Sequence, residues 1–156
     1  MLHLLVRLGN DAYAIGTSDV RRIVPLARLK ALPSDIAAIA GVLNFHGQAV
    51  PVLDLTRLLT GASSREILGT RIVVADVELR GTGPRLLGLV VEGAHSVARL
   101  DLSQFQPAGI RPDGREWLGP VIEYEDMLVQ RIEIASLLPA DVVDALVRDS
   151  ETALFA

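Results

Sequence analysis

VLNFHGQAVPVLDLTRLL (Val42–Leu59) aligns without a gap to VIEYEDMLVQRIEIASLL (Val121–Leu138), half a chain length further on. Val42 falls on Val121, Leu43 on Ile122, Phe45 on Tyr124 and Val50 on Val129. Leu53 falls on Ile132, Asp54 on Glu133, Leu55 on Ile134, and Leu58-Leu59 on Leu137-Leu138. Each copy reads as two short strands around a tight turn, followed by a helical turn. In the first copy Gly47 is the expected φ > 0 position, where a side chain is penalised. Asp54 stands where it can cap the helix, whose apolar Leu55, Leu58 and Leu59 share one face, and Gly61 can end it. A weaker echo lies upstream, where Ile15, Val20 and Ile23 match Leu89, Ala94 and Val97 at one constant spacing. The apolar frame repeats while the polar residues of the turn do not. The chain therefore reads as two similar small β units. Each is marginal for a core of its own, so the two are expected to pack tightly on each other.

The rest of the chain supplies more short strands. Leu2–Leu8 and Ala12–Thr17 form a hairpin around Asn10-Asp11, and an extended run through Val20 and Ile23 stops at Pro25. Leu29–Pro33 reads as a loop, with Ser34 capping a short turn over Asp35–Ala38. Arg71–Leu79 and Leu86–Val91 flank a glycine-rich turn, with a bend at Gly93 and extended chain to Leu100. Gln104–Glu116 carries Pro107, Gly109, Pro112 and Gly114 and reads as a loop. Ala140–Phe155 reads as a C-terminal helix with Val142, Val143, Leu146 and Val147 on its apolar face.

The 156 residues are 50% hydrophobic and 22% charged, a globular composition. A net charge of −4 gives no electrostatic footprint for nucleic acid. There is no cysteine, which excludes disulfides, thiolate catalysis and Cys-based zinc sites and fits a reducing compartment. No signal peptide is read at the N-terminus, because His3 and Arg7 interrupt its apolar run. The longest apolar run, Leu86–Val91, is far short of the ~20 residues of a membrane-spanning helix. A cytoplasmic protein without membrane insertion is expected.

Reactive chemistry is missing. His3, His46 and His95 have no metal-binding spacing, and Arg80-Gly81-Thr82-Gly83-Pro84 lacks the G-K-[ST] of a phosphate loop. Glu123, Glu125 and Asp126 are clustered carboxylates that fit a solvated hairpin tip. No cofactor, metal or catalytic group is expected. An enzyme would need a cleft joining His46, Asp54 and the Glu123–Asp126 turn. A structural homo-oligomer that uses the ends of its β units on itself is the other alternative.

The first copy carries one further pattern. Asn44, an aromatic, a basic residue and Gly47, then Val50-Pro51-Val52-Leu53-Asp54-Leu55, closely resemble the signature of CheW-like chemotaxis adaptors. In that family the turn usually reads N-L-R-G and V-P-V-x-D-L follows. Tyr13-Ala14-Ile15 with Val20 and Ile23, Leu32-Pro33, Gly88–Gly93 and the tail Ile132–Leu138 match in order, so the resemblance spans nearly the whole chain. It implies an all-β fold of two intertwined five-stranded SH3-like β-barrels, with short helices and a C-terminal helix. Residues 1–156 would form one domain with barrel subdomains over roughly 14–70 and 85–138, strands being exchanged at the ends.

The resemblance also implies a non-enzymatic signalling adaptor. Its partners would be the cytoplasmic tip of a methyl-accepting chemoreceptor and the regulatory domain of a CheA-type histidine kinase, and it would sit in the cytoplasm at receptor arrays. The receptor surface would comprise Val20, Arg22 and Ile23 with the turn Asn44, Phe45, His46 and Gly47; kinase-contact residues are not implied. Two positions depart from the pattern. His46 stands where arginine is common, and Arg22 where an acid is common. The sequence is also similar to adaptors of Wsp-type pathways, which control surface sensing and biofilm formation.

Overall fold

The computed structural model describes residues 1–31, 36–79, 83–107 and 119–146. The strands are β1 (Leu2–Leu8), β2 (Asp11–Gly16), β3 (Val20–Pro25), β4 (Ile39–Phe45), β5 (Gln48–Asp54), β6 (Arg71–Leu79), β7 (Gly83–Val91), β8 (Gly93–Arg99), β9 (Val121–Tyr124) and β10 (Met127–Ile132). Short helices α1 (Leu55–Thr60) and α2 (Ile134–Leu137) follow β5 and β10. Residues 140–146 are helical, and the rest of the expected C-terminal helix lies outside the described residues. So do the expected turns at Ser34 and at Arg80–Thr82, and most of the Gln104–Glu116 loop.

The strands form two five-stranded sheets. One has the order β3-β6-β7-β5-β4, the other β8-β1-β2-β10-β9. The N-terminal hairpin thus lies in the same sheet as the last three strands, and the two SH3-like units interlock. The fold expectation holds.

Strand by strand, the sheets are copies. Leu53 pairs in parallel with Leu89 on β7, and its repeat partner Ile132 pairs in parallel with Ile15 on β2. Ile23 lies opposite Val73, and its counterpart Val97 lies opposite Leu4. The upstream echo in the sequence is therefore a register relation. Even the irregularities repeat. The register of β3 on β6 shifts between Val20 and Arg22, and that of β8 on β1 shifts between Ala94 and Ser96, one extra residue in each case.

Both hairpins turn through two left-handed residues. His46 and Gly47 have φ of 51° and 84°, Glu125 and Asp126 of 51° and 64°. These tight primed turns match the twist of the flanking strands. Pro51 fits inside β5 because the backbone groups of Val42 opposite it face the other way. They exchange two hydrogen bonds with Lys30, at 2.8 and 2.9 Å. Val121 does the same with Gln106, both bonds being 2.8 Å.

The main core lies between the units. Leu4, Val6, Leu8 and Ile15 from one sheet pack with Leu53, Val73, Leu87 and Leu89 from the other, and Leu137, Val142 and Leu146 close it. Each such buried aliphatic side chain contributes about 2 kcal/mol by leaving water. A smaller cluster fills each unit, around Val50, Val52 and Ile72 in one and around Ile122 and Val129 in the other.

Candidate functional site

The expected surface residues converge on one corner of the first unit. Asn44 Oδ1 accepts the Gly47 N–H at 2.8 Å, closing the hairpin turn from within. Phe45 meets the His46 ring edge-on, with centroids 4.6 Å apart and planes at 62°. Arg22 Nη1 lies 3.3 Å from His46 Nε2. A guanidinium only donates, so His46 Nε2 is the acceptor in this contact.

This last contact joins β3 to the β4–β5 turn, though β3 and β4 are opposite edges of their sheet. The sheet therefore curls until its two edges approach. The extra residue in β3, Arg21, is held apart by a two-pronged pairing with Asp76 at 3.0 and 3.1 Å. Arg22 is thus left to reach across the seam. Ile23 follows it on the surface, 39% exposed, an apolar side chain beside the polar turn. Val20 differs. It is half-buried and packs partly on the main core.

Asp54 belongs to another place and another job. Its Oδ1 accepts the Arg57 N–H at 3.2 Å and the Ser64 hydroxyl at 2.6 Å, and Oδ2 accepts the Ser64 N–H at 2.8 Å. It is the expected helix cap, and Gly61, at φ 81°, ends α1. His46 lies in the turn before β5 and Asp54 is its last residue, so the length of the strand, roughly 20 Å at about 3.3 Å per residue, separates them. Glu125 is in the turn of the other sheet. The groups an enzyme would have needed are not brought together. Among the described residues no group of three acidic or histidine side chains is arranged to hold a metal ion. No described helix is long and apolar enough to cross a membrane.

Sequence reasoning missed the most elaborate polar site. Glu92 is buried at the bend where the chain leaves β7 for β8, one residue before the expected bend at Gly93. Its Oε1 accepts the Arg65 N–H at 2.9 Å. Oε2 accepts the Gly9 N–H at 2.9 Å and the Arg65 guanidinium at 3.0 and 3.2 Å. Burial alone would raise this carboxyl, but the Arg65 and Gly9 hydrogen bonds outweigh it and hold the group below the usual glutamate value. Glu92 ties the tip of the first hairpin to the loop before β6. Its one sequence signal was an acid at the end of the apolar run Leu86–Val91.

Two interlocked SH3-like β units, with an exposed hydrogen-bonded corner and no reactive centre assembled among the described residues, define a β-barrel binding module. The chain belongs to the CheW-like domain family, whose model matches residues 2–142. That family consists of non-enzymatic adaptors. The chain is 23% identical to the chemotaxis protein CheW of Rhizobium meliloti, over 89% of this chain and 88% of that protein. It is 25% identical to the chemotaxis protein CheW of Bacillus subtilis, over 94% and 92% respectively. Its fold is similar to the crystal structure of the scaffolding protein TtCheW from Thermoanaerobacter tengcongensis. That match has a TM-score of 0.74 and 22% identity, and covers 90% of this chain and 88% of that one.

Proposed function

We propose that this adaptor couples the cytoplasmic tip of a methyl-accepting chemoreceptor to the regulatory domain of a CheA-type histidine kinase. It would act in the cytoplasm, at receptor arrays, with the Arg22–His46 corner as its receptor surface. The observation that carries the assignment is the hydrogen bond across the seam between β3 and the Asn44–Gly47 turn, with Ile23 exposed beside it. An apolar side chain framed by polar groups of fixed geometry is what a helical receptor tip can grip. Val20 supports this surface from beneath. The likeness to Wsp-type adaptors suggests a receptor from a surface-sensing pathway, and a panel of receptor tips from flagellar and surface-sensing systems would show which binds.

Calorimetry with a receptor tip fragment and with the kinase regulatory domain tests the assignment. His46→Asp places an anion against Arg22 and removes the imidazole ring. Receptor affinity should fall about tenfold, roughly 1.4 kcal/mol, with kinase affinity unchanged. His46→Arg alone would set two guanidinium groups face to face, so it too should weaken the receptor complex. Combining it with Arg22→Glu rebuilds the family's arginine–acid pair across the same seam, and should restore binding. Unchanged receptor affinity in His46→Asp, or equal damage to both partners, would remove this corner from the receptor site.

A further inference from the structure

Each unit is closed along one side by a short strap. Lys30 bridges Val42 in the first unit, and Gln106 bridges Val121 in the second. The residue before each bridge packs inward. Leu29 lies on the dry aliphatic cluster that includes Ile72. Phe105 lies on the cluster around Ile122 and Val129, and its ring is 5.8 Å from that of His3, tilted by 45°. His3 is the register counterpart of Ile72. One strap therefore rests on hydrocarbon and the other on an ionisable ring.

His3 is fully buried and uses both ring nitrogens. Arg131 Nε donates to Nε2 at 3.3 Å. Nδ1 lies 3.2 Å from the Met1 carbonyl, which only accepts, so Nδ1 carries the hydrogen. Only the neutral ring makes both bonds. A proton on Nε2 would set donor against donor and cation against cation in a site closed to water. The surrounding charges add to the conflict. Arg131 and the terminal amino group are positive. Glu133 is paired with Arg131 at 3.0 Å, and Asp101 with the Ser103 N–H and hydroxyl. β8 and β2 set Ala98 and Gly16 opposite His3, and the exposed Asp19 carboxylate lies beside Gly16.

The strap is the contact that can give way. β1 is held by ladders on both sides, whereas the Gln106 backbone joins β9 through a single pair of bonds, both 2.8 Å. Arg131 can move outward at the same time, because Glu133, 65% exposed, already holds its Nη1. We propose that the Phe105–Gln106 segment is an acid-operated strap. A proton on His3 drives the ring and Arg131 apart, lifts Phe105 and opens the Gln106–Val121 bridge, while the Leu29–Lys30 strap stays closed. Acid then reshapes one unit and leaves the frame of the other intact.

Amide hydrogen exchange of the full chain, followed by NMR between pH 7 and pH 5.5, tests this with the first unit as internal control. Protection factors at Gln106 and Val121 should fall roughly fivefold, because the opened form binds the proton more readily than the closed one. Those at Lys30 and Val42 should not change. His3→Ile combined with Arg131→Val removes the titrating ring without leaving a polar partner behind. His3→Gln keeps a hydrogen-bonding side chain that does not titrate. Both variants should make protection at Gln106 and Val121 independent of pH. Wild-type protection there that holds down to pH 5.5, an equal loss at Lys30 and Val42, or an undiminished acid loss in either variant would each overturn the proposal.

Discussion

The two β units share a backbone but not an interior. In the first, Val52 and Ile72 sit among Leu43, Val50, Val74 and Val90, a dry aliphatic cluster. Register places Arg131 and His3 at those two positions in the second unit. His3 is fully buried. Its ring bonds the Met1 carbonyl at 3.2 Å, accepts from Arg131 Nε at 3.3 Å and packs on Phe105. Their surfaces differ as well, with the seam latched by Arg22 and His46 in one and open beside Ser96 in the other. The frame is therefore held by what the units have in common: turn geometry, strand register and the apolar layer between them. Side chains within and on each unit are left free to diverge, which is how one repeated shape can serve different partners.

The largest effect should come from the point where the copies are joined. Glu92→Ala would strand the Gly9 and Arg65 amides and release the loop before β6. The corresponding position in the other unit, Ser18, is exposed. We expect a loss of about 3 kcal/mol in urea denaturation, because two partly buried amides are left unpaired, each at about 1–3 kcal/mol. A loss of a few tenths would mean that the units need no such tie.

The turns come next. A left-handed backbone costs a residue with a side chain about 1–2 kcal/mol. Gly47→Val should therefore destabilise by about 2 kcal/mol, since valine is β-branched. Nothing lies within 4 Å of the added Cβ, so the penalty is one of backbone conformation and not of crowding. Asp126→Gly, at the matching place, should stabilise by up to about 1 kcal/mol. Melting curves that move the same way for both would show that the turns are not equivalent.

The interior gives the smallest effect. Converting the second unit to the chemistry of the first, by His3→Ile with Arg131→Val, should be close to neutral. Each single change leaves a polar partner behind and should cost about 1 kcal/mol, so a double-mutant cycle should show coupling of at least about 0.5 kcal/mol. Acid sharpens the same comparison. Burial lowers the His3 pKa from 6.5, and the Arg131 and N-terminal charges add to this against the raising effect of the Met1 bond. The unfolded chain then binds the proton more readily, so stability falls as pH drops below about 6.5. His3→Ile should flatten that part of the curve. Glu92, held below 4.5, stabilises above its unfolded value and gives up that contribution only in stronger acid, as pH falls through its folded pKa.

Much of this was legible in the residues. The ungapped match of Val42–Leu59 to Val121–Leu138 exposed the duplication. Asp54, Gly47 and Gly61 announced a cap and two left-handed positions because few other residues do those jobs well. What stayed hidden depends on pairings between distant segments. Glu125 and Asp126 have no glycine to mark a left-handed turn, and only their alignment with His46 and Gly47 points to one. The Arg22–His46 contact arises from the curl of the sheet, which no local pattern encodes. The burial of His3 beside Arg131 required the first strand and the tenth to lie one strand apart, and Glu92 required the first hairpin to reach the β7–β8 junction.

That first hairpin has a consequence at the ribosome. β1 and β2 leave the exit tunnel before every other strand, but both of their sheet neighbours, β8 and β10, are made after the whole first unit. At about 5–20 residues per second, the wait between the completion of β7 and that of β10 is on the order of seconds. Through that interval the nascent chain carries a finished five-stranded sheet and a hairpin with both edges open. An unpaired edge is where strands of neighbouring chains add. On polysomes, newly made copies compete with the chain's own later strands for the edges of β1 and β2, and the speed of translation through residues 92–132 sets how long that competition lasts.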